Sequence, residues 1–138
     1  ESFENAFEEF GLEKIKTVGD AIVAVAGLSS HSISPVKSCV DCSYKLREIA
    51  NSASMPWDLH LGIHSGSLVA GTVGTKTVQF DILGKTVNVA FNICDMSVSN
   101  QILISSDAWM TARNEIKVKS IGLKRLKSGQ DIEMLECV

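Results

Sequence analysis

Apolar residues recur along the chain at two spacings, one typical of helices and the other of strands. Three phenylalanines stand at helical spacing near the start, with glutamates between them and a glycine after them: Phe3, Phe7, Phe10 and Gly11. Apolar positions that repeat every three or four residues predict two further helices, Val36 to Ala53 and Thr86 to Met96. A short helical turn is expected at Ser106 to Met110. The chain therefore alternates helices with segments of another kind.

Those other segments have the two-residue period of β-strands. The stretch from Leu12 to Leu28 predicts a β-hairpin, because two runs of β-forming residues flank the turn residues Gly19 and Asp20. The segment from Trp57 to Ser65 alternates apolar and polar residues, which predicts a strand buried on one face. Shorter strands are expected at Val78–Ile82, Ile102–Ile104, Val118–Ile121 and Ile132–Cys137.

The middle of the chain is rich in glycine and small residues. The segment from Ser65 to Gly74 predicts a turn whose backbone N–H groups can approach a ligand closely. The later Gly84-Lys85-Thr86 does not complete a phosphate-binding P-loop, since that motif needs a glycine where Gln79 stands. His60 and His64 lie about 13 Å apart on an extended strand and cannot share a metal ion.

The order of predicted elements indicates the fold class. It is α-β-β-α-β-β-α-β followed by two more strands, which predicts an antiparallel or mixed sheet with helices on one face. Ferredoxin-like α+β is the class that this order favours. A typical member begins with a strand, and no strand precedes Phe3. We therefore expect residues 1–138 to form one domain whose N-terminal strand and helix are missing from this chain.

Composition limits the class of protein. The chain has 138 residues, of which 45% are hydrophobic and 21% are charged, so it can form one sizeable core and not two. Its net charge of −3 argues against a nucleic-acid partner, which would need a basic face. No apolar run reaches the roughly 18 residues that span a membrane. We expect a soluble domain, with membrane contact only through parts outside this chain.

Four cysteines, Cys39, Cys42, Cys94 and Cys137, are expected to be reduced. Cys39 and Cys42 form a C-x-x-C pair, but no second pair and no paired histidines complete a zinc site. On a helix their spacing places both sulfurs on one apolar face, where buried thiols behave as small hydrophobes. Reduced thiols are typical of a cytoplasmic location.

Four motifs in one order resemble a known family. They are Glu13-Lys14-Ile15-Lys16-Thr17-Val18-Gly19-Asp20-Ala21, Gly62-Ile63-His64-Ser65-Gly66 with Val69-Ala70-Gly71 and Val73-Gly74, Phe80-Asp81-Ile82-Leu83-Gly84, and Thr86-Val87-Asn88-Val89-Ala90. Each motif is weak alone. Together, across nearly the whole chain, they resemble the catalytic domain of class III nucleotidyl cyclases, the adenylyl and guanylyl cyclases.

The resemblance implies an enzyme that converts a nucleoside triphosphate to its 3′,5′-cyclic monophosphate and pyrophosphate at the interface of a homodimer. It implies two divalent ions, Mg²⁺ or Mn²⁺, in each complete active site, where they activate the ribose 3′-hydroxyl and neutralise the triphosphate. Asp20 matches the second metal-binding aspartate of the family, and the first belongs to the missing N-terminal strand. This chain would therefore carry half of the metal site.

Lys16 and Asp81 match the two positions of the family that read the purine base. A lysine can donate to adenine N1 and an aspartate can accept from the N6 amino group, whereas guanine presents the opposite polarity. Guanylyl cyclases carry glutamate and usually cysteine at these positions. The resemblance therefore implies ATP as substrate and adenylyl cyclase as activity. The alternative for this pair is a surface ion pair on neighbouring strands.

Three further residues match catalytic positions or depart from them. Asn88 matches the asparagine that orients the ribose, and Lys127 matches the lysine that reaches the triphosphate, although Lys127-Ser128-Gly129 differs from the usual Lys-Gly. Asn92, one helical turn after Asn88, stands where the family places its transition-state arginine, and asparagine lacks the charge and reach of arginine. Two functions stay open: an active adenylyl cyclase, and a catalytically weak or inactive cyclase-homology module that binds nucleotide or dimerises.

Overall fold

The computed structural model describes residues 2–18, 21–26, 35–52, 59–65, 69–72, 80–83, 85–112, 114–127 and 129–138. Within these ranges the chain forms helices α1 Ser2–Glu9, α2 Pro35–Ser52, α3 Lys85–Met96 and α4 Ser106–Met110. The strands there are β1 Leu12–Val18, β2 Ala21–Ala26, β3 His60–Ile63, β4 Val69–Thr72, β5 Phe80–Leu83, β6 Gln101–Ser105, β7 Val118–Arg125 and β8 Asp131–Cys137.

The described strands form one four-stranded sheet and two two-stranded sheets. In the larger sheet the order is β3-β6-β8-β7, with β3 parallel to β6 and the other neighbours antiparallel. β1 pairs with β2, and β4 pairs with β5, each in antiparallel register. β1 also contacts β5. The mixed sheet with packed helices confirms the predicted α+β class.

The four-stranded sheet has apolar side chains on both faces. Ile102 and Ile104 of β6 pack with α2 and α4, whereas Leu103 between them packs with Val89 and Ile93 of α3. Side chains alternate along a strand, so β6 is buried from both sides. α3 therefore covers one face, and α2 with α4 covers the other. This corrects the expectation of helices on one face, because element order does not say on which side a connecting helix packs.

The first helix joins the hairpin to the rest of the fold. Ala6 and Phe7 of α1 are buried against Cys42 and Leu46 of α2, and residues at the base of the β1–β2 hairpin complete this cluster. Gly11 has a φ of 77°, the left-handed conformation typical of a helix C-terminal glycine. The hairpin is thus attached to α2 through α1.

Most predicted elements are confirmed, with changes at two places. β4 was not predicted, because its short run of small residues around Gly71 resembles a turn, and pairing with β5 overrides that preference. β3 is shorter than the predicted Trp57–Ser65 strand, and His64 and Ser65 follow it outside any strand. The Gly19-Asp20 turn, Trp57-Asp58 and Val78-Gln79 lie outside the described residues.

Candidate functional site

The β1–β2 hairpin carries two of the predicted site residues, Lys16 and Asp20. Lys16 pairs with Val23, directly after a shift in register that begins at Lys14. Such a bulge adds one residue to one strand and changes its local twist, a device found next to functional sites. Val18 pairs with Ala21 across the turn. Asp20 itself lies between these two residues and outside the part of the chain that the structure describes.

The strand β5 carries Asp81, the second predicted purine residue. The backbone of Asp81 pairs with that of Gly71 on β4. β5 lies against β1, the strand of Lys16. The fold therefore makes neighbours of the two backbone segments that carry the predicted purine pair, although about 65 residues separate them in sequence.

Helix α3 presents the two asparagines on one side. Val89 is 4% exposed and Ile93 is 0% exposed, and both fix the helix to the sheet. Asn88 is exposed and Asn92 is partly buried. Residues four apart lie one above the other on a helix, so their side chains share a face beside the buried one. The predicted relation between Asn88 and Asn92 is thus compatible with the packing of α3.

α3 lies unusually close to β3. A Cβ atom added to Gly62 would stand 2.5 Å from the backbone nitrogen of Cys94 and 2.9 Å from the carbonyl oxygen of Ala90. The Cys94 thiol donates to the His60 carbonyl at 3.3 Å. Glycine at position 62 is therefore required by the helix that carries the asparagines. The face of β3 predicted as polar is covered by α3.

Lys127, which lies in the C-terminal part of the chain, also contacts α3. It follows β7, and its Nζ donates to Asp95 Oδ2 of α3 at 3.3 Å. Arg125 instead pairs with Asp131 on the neighbouring strand, with Nε to Oδ1 at 3.0 Å. The structure thus brings Asn88, Asn92 and Lys127 to α3. The sequence analysis did not include Asp95 among the candidate residues. Its position three residues after Asn92 places it on the same side of the helix and could have indicated this contact.

A second contact that the sequence did not indicate joins the ends of the parallel strands β3 and β6. His64 Nδ1 lies 2.6 Å from Ser105 Oγ. Ser105 is 0% exposed and caps α4 by accepting from the Ala108 N–H at 3.2 Å. Burial lowers the pKa of His64, and the nearby Asp107 carboxylate opposes part of this shift. His64 is therefore a structural link at the end of β3.

The cysteines are free, as predicted. Cys39 packs against the apolar cluster around β6, whereas Cys42 packs with α1. The two cysteines therefore belong to two neighbouring clusters, and not to one shared apolar face as predicted. Burial raises the pKa of Cys39 to about 11 and that of Cys42 to about 12. Protonated thiols are poor nucleophiles and poor metal ligands. This C-x-x-C pair therefore acts as part of the core.

Divalent ions such as Mg²⁺ prefer oxygen ligands, and the sequence predicts Asp20 as one of them. The side chain of Asp20 has the carboxylate that Mg²⁺ prefers, and in sequence Asp20 lies between the paired residues Val18 and Ala21. In the part of the chain that the structure describes, no group of three or more histidine, cysteine, aspartate or glutamate side chains could hold a metal ion. The donor chemistry of Asp20 fits a hard divalent ion, and one carboxylate supplies part of its shell.

The family of the chain follows from its whole sequence. The sequence profile of the adenylate and guanylate cyclase catalytic domain matches residues 1–135. The chain therefore belongs to the class III nucleotide cyclase catalytic domains, a family of lyases that generally use divalent metals. This confirms the resemblance drawn from the four motifs.

Relatives with either activity match the chain. It is 30% identical over 139 residues to soluble guanylate cyclase gcy-31 of Caenorhabditis elegans. That alignment covers 96% of this chain and 19% of the relative. It is 26% identical over 136 residues to an adenylate cyclase of Mycobacterium bovis, with coverages of 90% and 31%. The chain thus spans less than a third of either relative.

Solved structures share the fold. The guanylate cyclase domain of RhGC from Catenaria anguillulae in complex with GTP has a TM-score of 0.89 at 19% identity, over 99% of this chain and 77% of that one. The adenylyl cyclase CyaB from P. aeruginosa has a TM-score of 0.84 at 20% identity, over 99% and 76%. A rhodopsin-guanylyl cyclase core with converted specificity, in complex with ATPαS, has a TM-score of 0.89 at 21% identity, over 99% and 76%.

Where the structure describes a helix, that helix is too short or too polar to cross a membrane.

Proposed function

We propose that the chain is the catalytic domain of an adenylyl cyclase, which converts ATP to 3′,5′-cyclic AMP and pyrophosphate. The proposal is carried by the contact between β1 and β5, the strands of Lys16 and Asp81. A lysine donor and an aspartate acceptor suit the N1 and N6 edge of adenine and oppose that of guanine. The neighbour with converted specificity, solved with ATPαS, supports the idea that one fold serves either base.

The roles proposed for the other residues come from the family resemblance, and their positions on the fold are compatible with these roles. In the reaction the ribose 3′-oxygen bonds to the α-phosphorus, and the bond from that phosphorus to the pyrophosphate oxygen breaks. Asn88, exposed on α3, would hold the ribose, and the exposed Lys127 ammonium would hold the triphosphate. Bound divalent ions supply activation of the 3′-hydroxyl and charge neutralisation, with Asp20 as one ligand.

The proposed assembly is a homodimer. In it the metal carboxylate of one protomer faces the purine pair of its partner, so each site needs both copies. A guanylyl cyclase domain of the RhoGC fusion protein from Blastocladiella emersonii, which shares this fold at a TM-score of 0.86, forms a non-canonical dimer, which supports self-association of such domains and not this particular arrangement.

The activity test uses the longest natural chain that contains residues 1–138. Purified protein is incubated with ATP or GTP and Mn²⁺ or Mg²⁺, and both cyclic nucleotides are quantified. We expect cyclic AMP to dominate and Asp20→Ala to abolish it, because the metal site loses a carboxylate. Cyclic GMP as the main product would refute the base assignment. Turnover that survives Asp20→Ala would refute the metal role.

Asn92 favours a second candidate function, a cyclase-homology module with weak or no catalysis that binds nucleotide or dimerises. An asparagine cannot place a positive charge at the α-phosphate. This candidate predicts saturable binding of ATP without cyclic product. The same assay, run beside calorimetric titration with ATP, separates the two functions.

A further inference from the structure

An ion pair lies on the side of α3 that carries Asn88 and Asn92. Lys127 Nζ stands 3.3 Å from Asp95 Oδ2, and Asp95 follows Asn92 by three residues. Side chains three apart on a helix are neighbours, with Cβ atoms about 5–6 Å from each other. The ammonium group of Lys127 therefore contacts a side chain that neighbours Asn92 on α3.

The backbone of Lys127 is fixed against the same helix. Leu126 is 2% exposed and packs with Val89 and Ile93, on the inner side of α3. The turn that follows is closed by backbone hydrogen bonds, Leu126 N to Gln130 O at 2.8 Å and Gly129 N to Leu126 O at 2.9 Å. Because the backbone is anchored, the main freedom left to the ammonium is that of its flexible side chain. Asp95 restricts that freedom.

The pair is poorly suited to a purely structural role. Its side chains are 78% and 54% exposed, and ion pairs this exposed contribute little to stability. The same exposure leaves the ammonium accessible to a ligand. A lysine has three N–H donors, and Asp95 Oδ2 occupies one of them. Lys127 can therefore keep its contact with Asp95 while it binds a phosphate oxygen.

We propose that Asp95 is a positioning residue, which directs the Lys127 ammonium to the Asn92 side of α3 and so supplies part of the positive charge that asparagine lacks there. The inference rests on the proposed cyclase function and deepens it. Arg125 does not take this part, since Asp131 holds its guanidinium through Oδ1 at 3.0 Å and Oδ2 at 3.4 Å. The position of the Lys127 ammonium group thus depends on its contact with Asp95.

The test is a double-mutant cycle between Asp95→Asn and Asn92→Arg in the longest natural chain. Misplacing a catalytic cation is costly, so Asp95→Asn alone should lower kcat by about tenfold. With Asn92→Arg present the arginine supplies the charge, and the same substitution should cost less than about twofold. Asp95→Glu should restore most of the lost kcat. An equal loss in both backgrounds, or a gain from Asp95→Asn, would overturn the inference.

Asp131→Asn is the matched control, because it breaks a comparable exposed ion pair in the β7–β8 hairpin and should leave kcat unchanged. A binding measurement keeps the test independent of turnover. Calorimetry with 3′-deoxy-ATP, which lacks the attacking hydroxyl, should show affinity reduced about threefold by Asp95→Asn and by Lys127→Ala. The variant that combines Asp95→Asn with Lys127→Ala should bind 3′-deoxy-ATP no more weakly than the weaker of the two single variants.

The two arms separate the possible failures. If every variant binds as described but none forms cyclic nucleotide, catalysis in the proposed function is wrong and the positioning role stands. If Asp95→Asn binds 3′-deoxy-ATP as tightly as the unmodified protein or more tightly, the positioning role is wrong, whatever the activity.

Discussion

A Cβ atom on Gly62 would lie 2.5 Å from the backbone nitrogen of Cys94, closer than packed atoms can approach. The contact joins β3 to α3, and both partners are backbone, so no side chain can rotate to relieve it. Position 62 therefore sets how closely α3 lies on the sheet. Since α3 also carries Asn88 and Asn92, this packing contact and the proposed chemistry depend on one residue.

We expect Gly62→Ala to destabilise the fold by about 1–3 kcal/mol, because α3 must move away from β3. It should also lower turnover beyond its effect on the folded fraction. Gly122→Ala is the comparison, since a Cβ there meets nothing within 4 Å and only its φ of 107° opposes alanine. Urea unfolding and kcat measured on both variants test this. A Gly62→Ala protein with normal stability would show that α3 can shift freely.

The contact between His64 and Ser105 predicts a pH-dependent stability. Burial lowers the pKa of His64 in the folded state below the ordinary value of 6.5. The unfolded chain then binds the proton more readily, so this part of the stability is complete above that value and is lost as pH falls toward the lowered one. The free energy of unfolding should therefore decrease between about pH 7.5 and about pH 5.5.

Two variants test whether His64 causes this pH dependence of the unfolding free energy. His64→Gln should make the decrease in unfolding free energy smaller, because the titrating ring is gone. Asp107→Asn should make it larger, because the carboxylate that raises the pKa of His64 is removed. Urea titrations at both pH values give the comparison. If His64→Gln has the same dependence as the unmodified protein, another group is responsible.

The purine assignment predicts a change of substrate. Lys16→Glu combined with Asp81→Cys exchanges the donor and acceptor polarity at the base. We expect kcat/KM for ATP to fall by about 100-fold or more, with GTP improved relative to it, because unpaired buried polar groups discriminate strongly. Competition assays with both nucleotides measure the ratio. Each single variant serves as a control, and an unchanged ratio in the double variant would mean that these residues do not touch the base.

The residue at position 92 predicts a gain of rate. Asn92→Arg should raise kcat by about 10² to 10³, the usual effect of a preorganised charge at a transition state. KM should change little, because the added contact strengthens mainly in the transition state. Steady-state cyclic AMP production by both proteins gives the answer. A protein that is already as fast with asparagine would contradict the idea that Asn92 limits the rate.

Local sequence patterns predicted the helices and the first hairpin well. The phenylalanine spacing of α1 and the apolar period of α3 are properties of neighbouring residues, which the sequence contains in full. β4 was missed because Gly71 and its small neighbours have low strand propensity, and a partner strand distant in sequence stabilises it. The apolar run Ile102-Leu103-Ile104 predicted a short strand, yet its burial on both faces and its partners became evident only in the structure.

By itself, the sequence determined the family and the fold class, and it is the source of the proposed purine, ribose and triphosphate residues, because these depend on residue type and order. Tertiary structure decided which of them meet. It placed β1 beside β5, and it brought Lys127 to Asp95 across 32 residues. The physical reason is that such contacts arise where apolar side chains distant in sequence are buried together, as with Leu126 under α3. That burial depends on the path of the whole chain.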